Sequence, residues 1–459
     1  MDEQKKAALA AVDAISDRVC ALSDAIWDNP ELGFQEHHTM RLQCDLLEQL
    51  GFRVETNLAD IPTAFSGTWG SGTPVIAFMG EYDALPGLSQ KAGMTAKDPV
   101  VPGAPGHGCG HHLLGSGALA GAYGLKEYLR ATGKPGTVIY YGCPAEEGGS
   151  GKTFMARDGV FDNLDCALYW HPGPINRANS DTTLANYMVR YHFTGIAAHA
   201  SAAPHMGRSA LDAMELMNTG AQYLREHLPR DVSFAYAVTD GGGISPGVVQ
   251  ASAEVKYIIR GPKVSMVQSA YERINKIAQG AAMMTETQVE IIFEKACSEQ
   301  LINQNMNDVL QANLEAIPLP EITQEDLAFA QSVRETTGRP IKPGSSPIAR
   351  RVSPRQFEVK LEHASGDLGD VSKLCPVGEI MAATWAAGTP GHSWQVVTQG
   401  KAPLAHKGML YAAKVLAGAA IDLINDPDKL AAAQAERAAA LADDPYVCPI
   451  PKDVPIPVL

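Results

Sequence analysis

With 459 residues, 45% of them apolar, the chain can bury a substantial core and is long enough for two or three domains. Its 37 basic and 51 acidic residues leave a net charge of −14, and its longest basic run is Arg350-Arg351. That balance excludes the clustered cations of a nucleic-acid or anionic-membrane surface. No apolar segment follows the charged start Met1 to Lys6, and no window approaches the about 20 continuous apolar residues of a membrane span, so neither a secretory leader nor a membrane anchor is expected.

The elements are read in chain order. Apolar positions Leu9, Val12, Ile15, Val19, Leu22 and Ile26 predict one helix over 4–28, stopped by Asn29-Pro30. A second helix is predicted over 36–50 and a short strand over 52–55. Apolar runs at 74–80, 136–142 and 166–170 predict buried strands, with a small-residue helix over 113–129 between the first two. This alternation implies an α/β fold with a central mixed sheet covered by helices. The texture changes near 187. Alternating strands at 187–194, 253–260 and 288–295, with amphipathic helices at 209–227 and 266–284, suit a β-α-β-β-α-β, ferredoxin-like unit. Residues 187–297 are therefore expected to form an inserted, smaller α+β domain, with 1–186 and 298–459 forming the larger one. Beyond it lie a polar helical stretch over 300–340, a Pro/Ser/Arg loop over 340–355, a return of α/β texture from Ser365 and a closing helix over 404–424. A proline-rich tail over 444–459 is expected to drape over the surface. Eight scattered cysteines predict reduced thiols and a cytoplasmic setting.

Five groups follow a buried strand or open a helix, where sites assemble in open α/β sheets. They are Gly80-Glu81-Tyr82-Asp83-Ala84-Leu85-Pro86, Gly106-His107-Gly108-Cys109-Gly110-His111-His112, Pro144-Ala145-Glu146-Glu147-Gly148-Gly149, His171-Pro172-Gly173 and Gly388-Thr389-Pro390-Gly391-His392-Ser393. Cys109-Gly110-His111 puts a thiol and an imidazole on one tight loop, a pair suited to zinc or a similar ion. Taken alone, it reads more simply as a buried cysteine beside a glycine-rich helix start. Glu146-Glu147 reads either as solvated charge or as one carboxylate for a metal and one for a proton. His171 and His392 read as core histidines or as ligands. Together the five groups supply donors for two metals and a spare carboxylate at Glu146.

These motifs resemble the aminoacylase and carboxypeptidase-type metallo-amidohydrolases, in the branch with aminobenzoyl-glutamate and indole-acetyl-amino-acid hydrolases. Pro30-Glu31-Leu32-Gly33, Ala197-Ala198-His199-Ala200-Ser201 with Pro204, Ser209 to Ala213 and Thr389 to Trp394 extend the match over nearly the whole chain. The resemblance implies a catalytic domain with an inserted dimerisation or lid domain. It implies two divalent ions, Zn or Mn, held by Cys109 as a bridging thiolate with His111, His171, Glu147 and His392. It implies Glu146 as general base and Asp83 as the group that orients a ligand. It also implies a homodimer in which His199 enters the neighbouring site. A second, different subunit is a further possibility.

The expected activity is hydrolysis of an N-acyl amino acid. Alternatives are dipeptide cleavage at the same site, a cysteine nucleophile with His111 or His112, or a non-catalytic binding protein. Glu81 stands where the family usually has His or Asp, and Gly247 where it usually has a substrate-holding Asn. Arg260 is the candidate clamp for the substrate carboxylate, with a structural salt bridge as its alternative.

Overall fold

Strands β1 (Arg53–Thr56), β2 (Phe65–Ser71), β3 (Val75–Glu81), β4 (Gly136–Cys143), β5 (Cys166–Gly173), β6 (Arg177–Ala178) and β13 (Val377–Ala383) form a mixed sheet in the order β1-β2-β4-β3-β5-β13-β6. The computed structural model describes residues 1–457. β4, β3, β5 and β13 are mutually parallel, while β1, β2 and β6 pair antiparallel at the edges. The central strands are nearly continuous in buried residues, such as Ile76, Ala77, Phe78 and Met79. A sheet covered on both faces requires that pattern.

Helices His111–Thr132 and Pro403–Asn425 pack against each other and against this sheet. Pro403–Asn425 is long and apolar enough to cross a membrane by length and hydropathy, contrary to the expectation that no segment would be. Most of its apolar window is buried inside the fold. Its small residues, Gly408, Ala412, Ala417 and Gly418 among them, let neighbouring backbone approach closely.

The second sheet is antiparallel. Strands β8 (Ala185–Thr194), β9 (Ser233–Asp240), β10 (Ser252–Gly261) and β11 (Gln288–Cys297) take the order β11-β8-β10-β9. Helices Ala210–Leu224 and Val264–Thr285 cover one face. Tyr187, Val189, Tyr191 and Phe193 point into that covered face, and the alternate residues Asn186, Met188, Arg190 and His192 point to the other. This is the ferredoxin-like arrangement expected of the β-α-β-β-α-β order. A short parallel pair, β7 (Asp181–Thr182) with β12 (Lys360–Leu361), lies next to the crossing between the two sheets.

Several local expectations are corrected. The first helix is two, Glu3–Ala14 and Ser16–Asp28, because Ile15 leaves helical geometry. Neither β2 nor β13 was among the expected strands. The tail does more than drape, since Ile450 and Val454 are buried and the Arg157 guanidinium donates to Val454 O at 2.6 Å. Its last two residues, 458 and 459, lie outside the described residues.

One close approach fixes the helix over the sheet. The Trp170 indole donates to Leu114 O at 2.9 Å, and a Cβ on Gly117 would meet the Trp170 ring at 2.8 Å. Gly117→Val should therefore destabilise the protein by about 1–3 kcal/mol through overpacking. A lower urea midpoint is the expected result, and an unchanged one would mean the helix can shift freely.

Candidate metal centre

The parallel strands deliver the five groups to one edge. β3 ends at Glu81, and Asp83 lies two residues beyond it. β4 leads into Pro144 to Gly149, β5 carries His171, and the Gly388 to Ser393 loop follows β13. Cys109 precedes the helix His111–Thr132. Gly110, at φ 79°, caps that helix, and a Cβ there would press on Pro172 and Trp385 at 3.1 Å, so only glycine fits. Three non-glycine residues here also hold left-handed backbone: Ala145 (φ 57°), Ser150 (φ 57°) and His392 (φ 52°). Such conformations persist where surrounding contacts enforce them. The Ala145 N–H donates to Glu36 Oε1 at 2.9 Å, and the His392 N–H donates to Gly108 O at 3.0 Å. The second bond ties the C-terminal histidine to the cysteine loop.

Donor atoms of Cys109, His111 and His171 lie within 4.8 Å of one another. So do those of Cys109, Glu147 and His392, and those of Glu81, His111 and Glu146. Cys109 Sγ is 3.4 Å from His171 Nε2, and His392 Nε2 is 3.4 Å from Glu147 Oε2. Asp83, fully buried, uses both oxygens: Oδ1 meets His111 Nδ1 at 2.8 Å, and Oδ2 accepts the Glu147 N–H at 2.9 Å. This leaves His111 Nε2 facing the cluster. Among the described residues neither this nitrogen nor the buried Glu147 Oε1 has a nitrogen or oxygen hydrogen-bond partner, although Glu81 Oε2 lies 3.2 Å from the ring and the Cys109 thiol is the neighbour of both. Orphaned buried polar atoms are costly, and each of these two lies in a three-donor group that a cation would complete. The donor set therefore fits the two metals expected of it.

The electrostatics agree. Burial, reinforced by Glu81 and Glu147, pushes the Glu146 carboxyl well above the usual range. Burial pushes Glu147 up to about 7. Burial, with His111 beside it, lowers His171 to about 4, which leaves its Nε2 neutral and able to ligate. Burial and the neighbouring Glu147 raise the Cys109 thiol, so without a cation it is a poor nucleophile. His112 Nε2 faces Gly400 O at 3.1 Å, away from the cluster. Of the two bases offered for the cysteine-nucleophile alternative, His112 is therefore turned away from Cys109.

Cys109, Glu146, Glu147, His171 and His392 line a cavity of about 520 Å³ that Arg260 of β10 also lines. Among the described residues Arg260 has no ion pair, and its Nε is buried without a partner, which removes the salt-bridge alternative. His199 is not brought to this cavity. It sits exposed beyond β8, paired with Val248 across an isolated bridge, and the Ala200 N–H donates to Gly247 O at 2.9 Å. His199 Nδ1 accepts the N–H groups of Ser201 and Ala202, at 3.2 and 3.1 Å, so in the neutral ring Nε2 carries the proton.

Sequence reasoning missed a charged layer beneath the cluster. Lys152 Nζ lies 2.5 Å from both Glu81 Oε1 and Asp367 Oδ1, and the Tyr169 hydroxyl donates to Glu81 Oε2 at 3.0 Å. Gly366 comes close enough that a Cβ would meet Glu146 Oε1 at 3.2 Å. The one available sign was the Ser365-Gly366-Asp367 turn after a loop. Asp83→Asn should lower metal affinity about 10–100-fold, the usual effect of losing a group that orients a ligand. Metal titration by calorimetry checks it, and unchanged affinity would remove Asp83 from this role.

Comparison with known proteins places this geometry. The model for "Peptidase family M20/M25/M40" matches residues 77–438. The chain is 45% identical to the B subunit of p-aminobenzoyl-glutamate hydrolase from Escherichia coli (strain K12), over 97% of each chain. It is 32% identical to the Xaa-Arg dipeptidase of Mus musculus, over 63% of this chain and 66% of the relative. Among solved structures it is similar to a dinuclear metal-binding peptidase of the M20 family from Bacillus subtilis, with a TM-score of 0.56 and 16% identity, over 90% of this chain and 99% of the other. A shared α/β core, a cluster of metal-binding donors at one sheet edge and a family match over most of the chain converge: the protein belongs to the peptidase family M20/M25/M40 and is a metal-dependent amidohydrolase.

Proposed function

We propose that the protein hydrolyses the amide bond of an N-acyl amino acid, aminobenzoyl-glutamate or a related conjugate, in the cytoplasm. The observation that carries this reading is one cavity lined by a Cys-His-Glu donor set, by the Glu146 carboxyl and by Arg260, which has no ion pair among the described residues. The name of the 45% identical relative supports the substrate. Eight free cysteines support a reducing compartment.

Cys109, His111, His171, Glu147 and His392 would hold two divalent ions, with Cys109 common to two of the three three-donor groups. Zn and Mn both suit this set, the thiolate favouring Zn. When bound, such ions supply Lewis acidity and bring the pKa of a water towards ~7. The chain's own groups do the rest. Asp83 fixes the His111 ring through Nδ1. Glu146 takes a proton from the attacking water on a carboxylate oxygen and delivers it to the leaving nitrogen. Burial, with Glu81 and Glu147 beside it, raises this carboxyl above the usual range, which favours its holding the proton between the two halves of that task. Arg260 holds the substrate carboxylate through its guanidinium. The mouse relative's name favours a second reading, dipeptide cleavage at this same site, which changes only the acyl group.

We assign residues 187–297 to a dimerisation and lid domain. β9 is an exposed sheet edge, and Tyr236, Val238, Ile244 and Val248 are exposed apolar side chains on or near it. Unprotected edges of this kind pair with another chain, and a two-fold contact is the simplest closure. The His199 Nε2–H would then serve the neighbouring cavity as a donor to the oxyanion. The E. coli relative is named as one of two kinds of subunit, which supports a companion of a different sequence as another partner for the same edge.

Glu146→Gln should keep metal and substrate binding and lose roughly 10²–10⁴-fold in kcat. Full loss of metal in this variant would move Glu146 into the ligand set. Mixing inactive His199→Ala with inactive Glu146→Gln chains should restore up to about a quarter of wild-type activity, because half the dimers are mixed and each has one intact site of two. Subunit exchange without recovery would return His199 to its own chain.

A further inference from the structure

Three cationic side chains line the cavity: Arg177, Arg260 and Lys295. Arg177 is paired, with Asp181 Oδ2 at 2.6 Å. Arg260 has no ion pair among the described residues. Lys295 is also buried, only 6% exposed, and among the described residues its ammonium has no carboxylate within ion-pair distance. Its only hydrogen bond there is to the Ser150 hydroxyl at 3.2 Å. Burying a lysine with so little compensation is unfavourable unless an anion arrives.

The backbone explains how Lys295 reaches the cavity. Along β11, Ile291 pairs with Tyr191 and Phe293 with Val189, residues of the helix-covered face. Strict alternation would put residue 295 on that same apolar face. The register instead shifts between Phe293 and Lys295, so Lys295 pairs with Met188 and Cys297 with Asn186. A bulge of this kind places two successive residues on one side and re-aims the rest of the strand. Glu294 and Lys295 both emerge on the open face. Glu294 pairs there with Arg190 and Lys256, while Lys295 is turned into the cavity.

Register also gives the spacing. Arg260 on β10 pairs with Asn186 on β8, and Lys295 on β11 pairs with the next cavity-facing β8 residue, Met188. Two strand spacings and a two-residue offset put their backbones about 10 Å apart across the sheet and about 7 Å along it. Two long side chains so rooted suit two anionic groups on one small molecule better than a single carboxylate.

Resting on the proposed function, we infer that Lys295 is a specificity-determining residue that binds a second, side-chain carboxylate of the substrate, so the released amino acid is dicarboxylic. Arg260 takes the α-carboxylate common to all N-acyl amino acids, and Lys295 takes the one that separates glutamate or aspartate conjugates from neutral ones. Lys152 is unavailable for this task, being held between Glu81 and Asp367.

The test compares aminobenzoyl-glutamate with aminobenzoyl-glutamine on the metal-loaded enzyme. Wild type should prefer the glutamate conjugate roughly 10–100-fold in kcat/KM, the range of a hydrogen-bonded charge. Lys295→Met should bring the glutamate conjugate down to the glutamine level and leave the glutamine conjugate within about twofold. Lys295→Arg should restore much of the preference, and Arg260→Met should slow both substrates. No preference in wild type, or equal slowing of both substrates by Lys295→Met, overturns the inference. Lys295→Gln, with its melting temperature, replaces Lys295→Met if that chain fails to fold. If wild type cleaves neither conjugate, the proposed function fails separately. Calorimetry with free glutamate and glutamine then decides: selective loss of glutamate binding in Lys295→Met supports the inference, and absent or non-selective binding overturns it.

Discussion

Asp83 commits both of its carboxylate oxygens, one to the His111 ring and one to the Glu147 backbone, and the arrangement of the centre depends on that. Burial alone would raise this carboxyl, but His111 beside it and the hydrogen bonds it accepts hold it below the usual range. A fixed anion at this point sets the tautomer and direction of one histidine. It also holds the turn that separates Glu146 from Glu147. One carboxylate of that pair then faces His392 and Cys109, and the other faces His111 and Glu81. Two adjacent residues of identical chemistry thus acquire different neighbours.

Around that anchor the larger domain concentrates negative charge. Glu36, Glu81, Asp83, Glu146, Glu147 and Asp367 lie in or beneath the cluster. Burial with Asp83 nearby raises Glu36 to about 8. Lys152, fully buried, offsets Glu81 and Asp367, and its helix Gly151–Arg157 starts from the strained Ser150. Such a concentration of carboxylates is costly for a folded chain by itself, and bound divalent cations would offset it. Metal binding and stability would be coupled for that reason, since ions held here would relieve the repulsion.

The smaller sheet contributes the opposite sign. Arg260 and Lys295 stand on its open face, towards the acidic edge of the larger sheet. In the proposed reading this division would orient a substrate with carboxylates at one end and an amide in the middle, its anionic end towards the cations and its scissile bond towards Glu146. The exposed edge at β9 belongs to the same small sheet as Arg260 and Lys295, so the proposed substrate contacts and the proposed subunit contact would share one structural unit. Movement of that unit would alter both together.

The sequence by itself determined the chemistry and the class of fold. Runs at 74–80, 136–142 and 166–170 were legible as buried strands, because short stretches of consecutive apolar residues between turn signals need cover on both faces. Cys109, His111, Glu146, Glu147, His171 and His392 were legible because each sits in a short run of Gly and Pro that only a tight turn explains. Tertiary structure decided the rest. The break at Ile15 and the burial of the tail depend on packing against distant elements, which local periodicity does not record. Lys152 and Asp367 were invisible because their meaning lies in a contact between residues 215 positions apart. Lys295 was misleading as well as invisible. Period-2 alternation assigns it to the apolar face, and one inserted residue in β11 turns it to the cavity, because pairing across strands, not sequence spacing, sets which way a side chain points.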